Sequence, residues 1–544
     1  MMVCIAWLLR FTSSVAVLAL ASPVVLHAQP AAHYEPLRQP TTYTSEDGKL
    51  DVTLTVTASR IHGPLRIEYN TRLYDGEFPG PTLRFKAGDD VNLLLRNELG
   101  FNDATAEAMS GNNELHHPNS TNMHLHGMHV ASTGAQDNVA LTIAPGFSFQ
   151  YEYKINSKHH AGTTYYHPHL HGSTNLQVFG LMAGAFITED NPDDTPENLL
   201  AMDDLVVMVQ SVYLADEQAF LTVYGHNGTS NMPVGLKNPE GIKRNMLMVN
   251  GQYKPRIDFA IGELKRLRII SGLASEAMLF GLSKDSACQL YEMAYDGVYL
   301  PAPREAGTIF LPSGGRVDVA VQCSKSGSFA LTTVPDKRLA DYAQIWVPVP
   351  GPPTDPENVQ PMLMIEVSSE EMPMELPDIL PDLPEYLQKA RDEDENPDAE
   401  WETSLSIELS DADGANVING QAFDPKGPLL DSIELNAFYQ WDLSAGEVFQ
   451  EGEGYPQHPY HQHINHYLIT ASDHVTDGLL FRKGDFRDTI PLFESTPVGV
   501  RFYAADYTGP MMMHCHNLGH EDKGMMAVVG IDEASNDQAS EDED

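Results

Sequence analysis

The sequence predicts an all-β protein built from three consecutive, related β-sandwich domains. Three observations carry this reading. A glycine-centred turn followed by a β-rich segment recurs about every 170 residues, and such a period marks repeated structural units. The segments after the turns alternate or cluster apolar residues in the manner of strands. The 544 residues include 41 Gly and 37 Pro, which suits a chain that turns often.

The first copy is Tyr74-Asp75-Gly76-Glu77-Phe78-Pro79-Gly80-Pro81, ahead of the alternating run Asp90-Val91-Asn92-Leu93-Leu94-Leu95-Arg96-Asn97. The second is Val249-Asn250-Gly251-Gln252, ahead of Leu264-Lys265-Arg266-Leu267-Arg268-Ile269-Ile270. The third is Ile418-Asn419-Gly420-Gln421, ahead of Phe438-Tyr439-Gln440-Trp441-Asp442-Leu443. Asn-Gly is a turn signal, and the runs after it read as strands. Polar and Pro-rich stretches then place the domains at 41–190, 198–348 and 401–531. Residues 349–400 read as a Pro-rich acidic connector, with one short helix from Leu383 to Ala390.

Residues 1–28 read as a secretory signal peptide, with Arg10 before the apolar run Phe11 to Leu20 and cleavage expected after Ala21 or Ala28. This predicts a periplasmic or secreted protein with no membrane span once the signal is removed. Lys and Arg number 33 against 76 Asp and Glu, a net charge of -43. Such a surface repels nucleic acid and anionic membranes. It is read first as solvation and second as attraction for cationic substrates. The acidic stretch 532–544 reads as a disordered tail. Cys4 leaves with the signal, and Cys288 and Cys323 are either a disulfide or two buried thiols.

The chemistry concentrates near the C-terminus, in Met513-His514-Cys515-His516-Asn517-Leu518-Gly519-His520 with Met525 following. One thiol, three imidazoles and the Met525 thioether within thirteen residues suit copper better than magnesium or calcium. Cys515, His520 and Met525 are three of the four ligand types of a blue-copper centre, and a further His is required. Upstream lie His458-Pro459-Tyr460-His461-Gln462-His463, His167-Pro168-His169-Leu170-His171-Gly172 and His124-Leu125-His126-Gly127. Strand side chains alternate faces, so in His-x-His both imidazoles point the same way. In His514-Cys515-His516 the two imidazoles face one way and the thiolate the other. One extended tripeptide would then touch two metal sites.

These four motifs, in this order and spacing, resemble the multicopper oxidase family, which includes laccases, ferroxidases, copper-efflux oxidases and bilirubin oxidases. The resemblance implies three cupredoxin-like Greek-key β-sandwich domains, four copper ions and reduction of O2 to water. It implies a type 1 copper on His458, Cys515 and His520 with Met525 axial. It implies a type 2 copper on His124 and His461, and paired type 3 coppers on His126, His167, His169, His463, His514 and His516. Glu521 and Asp137 match proton-relay acids. The reducing partner is expected to be a phenol, an aromatic amine or a low-valent metal ion, and the protein a monomer. The middle domain is expected to be a spacer.

Of 22 His, ten fall at matching positions, too many for coincidence. His171 reads as a supporting residue, because the cluster is already complete. His116, His117, His129, His159, His160 and His466 read as solvated or hydrogen-bonded. Leu125 stands where many relatives carry Trp, which alters packing rather than ligation. Met362, Met364, Met372 and Met374, like Met511, Met512, Met513 and Met526, read as core fillers before cuprous ligands. The competing function is a periplasmic copper-binding resistance protein that sequesters metal with little turnover. A copper nitrite reductase fails on ligand count.

Overall fold

The computed structural model describes residues 34–62, 67–102, 111–213, 236–237, 245–334, 359–396, 398–399, 401–412, 415–446, 457–472, 478–493 and 497–533. The predicted signal peptide, residues 534–544 of the acidic tail, residues 335–348 of the expected second domain and residues 349–358 at the start of the connector lie outside them. Among the described residues no helix is long and apolar enough to cross a membrane.

The strands form six sheets, joined in three pairs by three apolar cores. These are three consecutive cupredoxin-like β-sandwiches, as the sequence predicts. In the first, Lys49–His62 buries Leu50, Val52, Leu54 and Val56 at alternate positions. Asp90–Asn97 runs parallel beside it and contributes Val91, Leu93 and Leu95. Leu83, Phe85 and Phe186 face them from the other sheet. Burying each such side chain favours the fold by about 1.5–3 kcal/mol before chain entropy is counted.

The second sandwich is centred on Leu264–Ser271, a strand buried along its whole length. Its Leu267 and Ile269 enter the core. Arg266 and Arg268 leave the same strand on the other face and are buried against Asp190, Asp204 and Asp318. A buried guanidinium persists only when paired in this way. Cys288 and Cys323 are joined in a disulfide across neighbouring antiparallel strands. That resolves the alternatives the sequence leaves open.

The strand Pro361–Glu371 corrects the expected connector. It pairs antiparallel with Gly327–Thr333 and parallel with Arg256–Ile261, so it completes the second sandwich. Its Leu363, Ile365 and Val367 are buried at alternate positions. The flanking prolines mark its edges rather than a loop. The helix Glu385–Glu395 extends beyond the expected Ala390 through the acidic run. It lays Tyr386, Leu387 and Ala390 against Leu468, Phe486 and Ala505 of the third sandwich. Arg501 bonds Asp394 at 2.6 Å and anchors the acidic end.

Candidate metal centre

Strand register assembles the centre. His124–His126 pairs antiparallel with Gly162–His167, placing His124 opposite His167. In the third sandwich, His458–Gln462 pairs with Gly509–Cys515, placing His461 opposite His514. The first and third sandwiches then meet ring to ring. His124 stacks on His463 at 4.0 Å between centroids, and His126 on His461 at 3.6 Å. His169 reaches across to His514, with Nε2 atoms 3.1 Å apart.

The eight imidazoles of His124, His126, His167, His169, His461, His463, His514 and His516 are thus brought together, each at most 3 % exposed. Their ligand nitrogens form overlapping groups: His124 with His461 and His463, His124 with His126 and His167, and His169 with His463 and His514. Burial, with mutual repulsion of the rings, holds His124, His126, His169, His463, His514 and His516 well below the ordinary imidazole range. Protonation therefore does not relieve the crowding.

The donor set fits copper. Nε2 of His124, His167 and His461 and Nδ1 of His126 are buried without a hydrogen-bond partner. Nδ1 of His124 lies 2.9 Å from Asp137, that of His167 2.9 Å from the Pro168 carbonyl and that of His461 3.0 Å from the Asp488 carbonyl. One nitrogen fixed and one left bare is the arrangement of a metal-binding histidine. Unpaired buried lone pairs at this density are costly without a cation.

Cys515 faces away from this group. Its Sγ lies 3.5 Å from Nδ1 of His458 and 3.8 Å from Nδ1 of His520. These three make a separate trio, with His458 and Cys515 buried and His520 partly so. The chain is extended through Cys515, and the His516 amide still bonds the Pro459 carbonyl at 2.5 Å, so the expected alternation holds here. The short helix Leu518–Glu521 presents His520, and the Asn517 side chain caps it. Asn517 also lies 3.1 Å from Nε2 of His520, which leaves Nδ1 aimed at the thiol. Met525 is fully buried, and its backbone bonds both Cys515 and His520.

The two acids expected from the sequence both border the imidazoles. Asp137 accepts the Leu125 amide at 2.9 Å while facing His124, and burial pushes its carboxyl up to about 7. Glu521 is fully buried, 3.3 Å from Nδ1 of His514 and 3.5 Å from Nδ1 of His169. Burial and the neighbouring Asp522 hold it well above the carboxylate range. His171 lies outside the ligand groups, with Nε2 2.9 Å from Asn113.

The middle sandwich is not a spacer. Its Ser313 hydroxyl lies 3.0 Å from Nδ1 of His516. Its Arg316 clasps Asp488, which lies 3.4 Å from His126 and 3.6 Å from His461. Thr489 adds a hydroxyl 3.1 Å from both rings. A Cβ on Gly314 would stand 2.9 Å from His126 and His516, so the loop approaches only as glycine. Tyr165 places its hydroxyl 3.2 Å from Nε2 of His516. Sequence reasoning missed these residues because each stands alone, outside any repeating motif. A cleft of about 530 Å³ between Val139 and His171 on one side and Phe423, Leu429 and Met526 on the other reaches His169 and His463.

Two family models described as multicopper oxidase match residues 108–193 and 381–535. A multicopper oxidase of Staphylococcus aureus is 22 % identical over 463 residues, 85 % of this chain and 84 % of that protein. The bilirubin oxidase of Albifimbria verrucaria is 25 % identical over 471 residues, 84 % of this chain and 72 % of that one. The structure of a multicopper oxidase from Campylobacter jejuni, described as a metallo-oxidase, superposes with a TM-score of 0.67 at 22 % identity, covering 92 % and 95 % of the two chains. That likeness shows the shared fold. The two matched stretches are multicopper oxidase domains that contain all four histidine motifs, and relatives named multicopper oxidase span the sequence between them.

Proposed function

We propose that this protein is a periplasmic or secreted oxidase that removes single electrons from a phenol, an aromatic amine or a low-valent metal ion and reduces O2 to water. Four copper ions, one type 1, one type 2 and two type 3, would supply the one-electron acceptor and the four-electron reservoir. His458, Cys515, His520 and Met525 would hold the type 1 ion. His124 and His461 would hold the type 2 ion, and His126, His167, His169, His463, His514 and His516 the type 3 pair. The observation that carries the reading is the opposed orientation of Cys515 and its two neighbours. One peptide segment joins both donor sets covalently.

The remaining roles belong to the acids and to the packing. Burial raises the Glu521 carboxyl well above the ordinary range and that of Asp137 to about 7, so each is placed to deliver a proton beside His514 and His124. Arg316, Ser313 and Thr489 fix the rings in one orientation. The chain acts as a monomer, since its first and third sandwiches together supply every proposed ligand. Its domains run from 41 to 190, 198 to 371 and 401 to 531, after a signal peptide spanning 1–28 and before the acidic stretch 532–544.

Copper analysis combined with oxygen uptake tests the function. Four coppers per chain with steady oxygen consumption on a phenol, Fe(II), Cu(I) or Mn(II) is expected. Bound copper without oxygen consumption would make the protein a sequestering one.

A further inference from the structure

Four of the proposed copper ligands, His124, His126, His167 and His461, share a signature. One ring nitrogen is fixed by a protein atom, and the other is buried with no hydrogen-bond partner. His160 and His466 carry the same signature away from that centre. Nδ1 of His160 lies 2.7 Å from the Tyr386 hydroxyl, and its Nε2 is bare. Nε2 of His466 lies 2.9 Å from the Asp296 carbonyl and 3.3 Å from Asp488, and its Nδ1 is bare. Among the described residues, the one other histidine with a bare buried nitrogen is His171, which is only partly buried.

The two rings meet edge to face. Their centroids are 5.0 Å apart at 88°, close to the 5.1 Å and 85° of His169 and His463, which share one ligand group with His514. The bare nitrogens do not bond each other. His160 is 5 % exposed and His466 3 %. Gly297 leaves room beside them, since a Cβ there would stand 3.1 Å from Nε2 of His160. A ring nitrogen sealed from water and left unpaired is costly. Each ring carries that cost while its other nitrogen is held in place, as the second shell of a metal site holds its ligands.

We propose that His160 and His466 are the ligands of a further metal site that takes one cuprous ion where the three sandwiches meet. His160 comes from the first sandwich, His466 from the third, and Asp296 and Gly297 from the second. The donor number selects the ion. Zn(II) takes four ligands in a closed site. Among the described residues no third His, Cys, Asp or Glu joins these two as a ligand group. Two imidazoles are enough for Cu(I), which accepts low coordination numbers and favours soft or borderline donors. A cleft of about 600 Å³ leads to His159 and His160. Its acidic residues, Asp190, Asp194 and Asp382 among them, outnumber its two lysines, Lys86 and Lys158. That balance draws cations.

The test does not depend on the oxidase reading. Anaerobically reduced holoenzyme is titrated with Cu(I) against a chromophoric cuprous chelator, as wild type and as the His160→Gln/His466→Gln variant. The wild type is expected to take up one equivalent more than the variant. Any cuprous binding by methionines is common to both proteins and cancels. Equal uptake overturns the proposal and leaves the gap to a bridging water only. Should the variant fail to fold, crystals of the wild type treated with Cu(I) answer alone. A copper anomalous peak between the two rings supports the site, and a map with none there overturns it. Failure of the four-copper assignment would instead appear as missing copper around His124 and His514.

Discussion

Arg316 in the second sandwich grips both carboxylate oxygens of Asp488 in the third, with Nη1 2.8 Å from Oδ1 and Nη2 closing on Oδ2. Both side chains are almost completely buried. Asp488 in turn borders His126, His461 and His466. The pair therefore ties the middle sandwich to imidazoles contributed by the other two.

Removing one partner of such a pair strands the other charge. Arg316→Met is expected to lower stability by about 3–5 kcal/mol and to weaken copper retention. Urea unfolding of the copper-free protein checks the first effect, and copper analysis after dialysis the second. Unchanged values for both would make the contact incidental.

Ser313 offers a milder probe of the same arm. Ser313→Ala removes one hydroxyl 3.0 Å from His516. Loss of a partner fixed to a metal-binding histidine costs about 10–100-fold in affinity, whereas stability should fall by only about 1 kcal/mol. Competition with a copper chelator reads the affinity. An unaltered copper absorption spectrum and affinity would exclude this role for Ser313.

Asp137 sets an expected pH dependence. Its carboxyl is raised to about 7 by burial. It holds a proton below that value and loses it as the pH rises through it. Oxygen uptake at saturating reductant should fall across this range. Asp137→Asn should flatten that limb and slow turnover on the order of 10²-fold at the lower pH. A variant with the wild-type profile would exclude Asp137 as a proton donor.

The buried histidines away from the copper centre predict acid sensitivity. Burial depresses His159 from 6.5 to about 3. Between those values the unfolded chain binds a proton that the folded one refuses. Stability is thus full above about 6.5 and is lost as the pH falls toward about 3, by about 1.4 kcal/mol per pH unit for this group. Thermal unfolding of wild type and His159→Gln over this range checks it. The variant should show the shallower slope.

Much of the centre was legible because strand geometry writes a period of two into the sequence. His124 and His126, or His514 and His516, share a face whatever else the fold does. The partners from the middle sandwich were not legible. Ser313, Arg316 and Asp488 obey no period, and Arg316 and Asp488 lie 172 positions apart. Only the docking of sandwiches brings them together. The strand Pro361–Glu371 was misread for a local reason. Prolines beside it signalled a loop, while Leu363, Ile365 and Val367 carried the alternation of a core strand. The pairing of His160 with His466 was equally hidden, since neither belongs to a His-x-His motif.

The central claim is that a single sulfur links the electron-accepting site to the eight-imidazole site. Copper analysis, visible absorption and oxygen uptake on Cys515→Ser test it together. Copper is expected to remain among the eight imidazoles, with no intense blue band and with oxygen consumption reduced to background. A Cys515→Ser protein that consumes oxygen at the wild-type rate would contradict it.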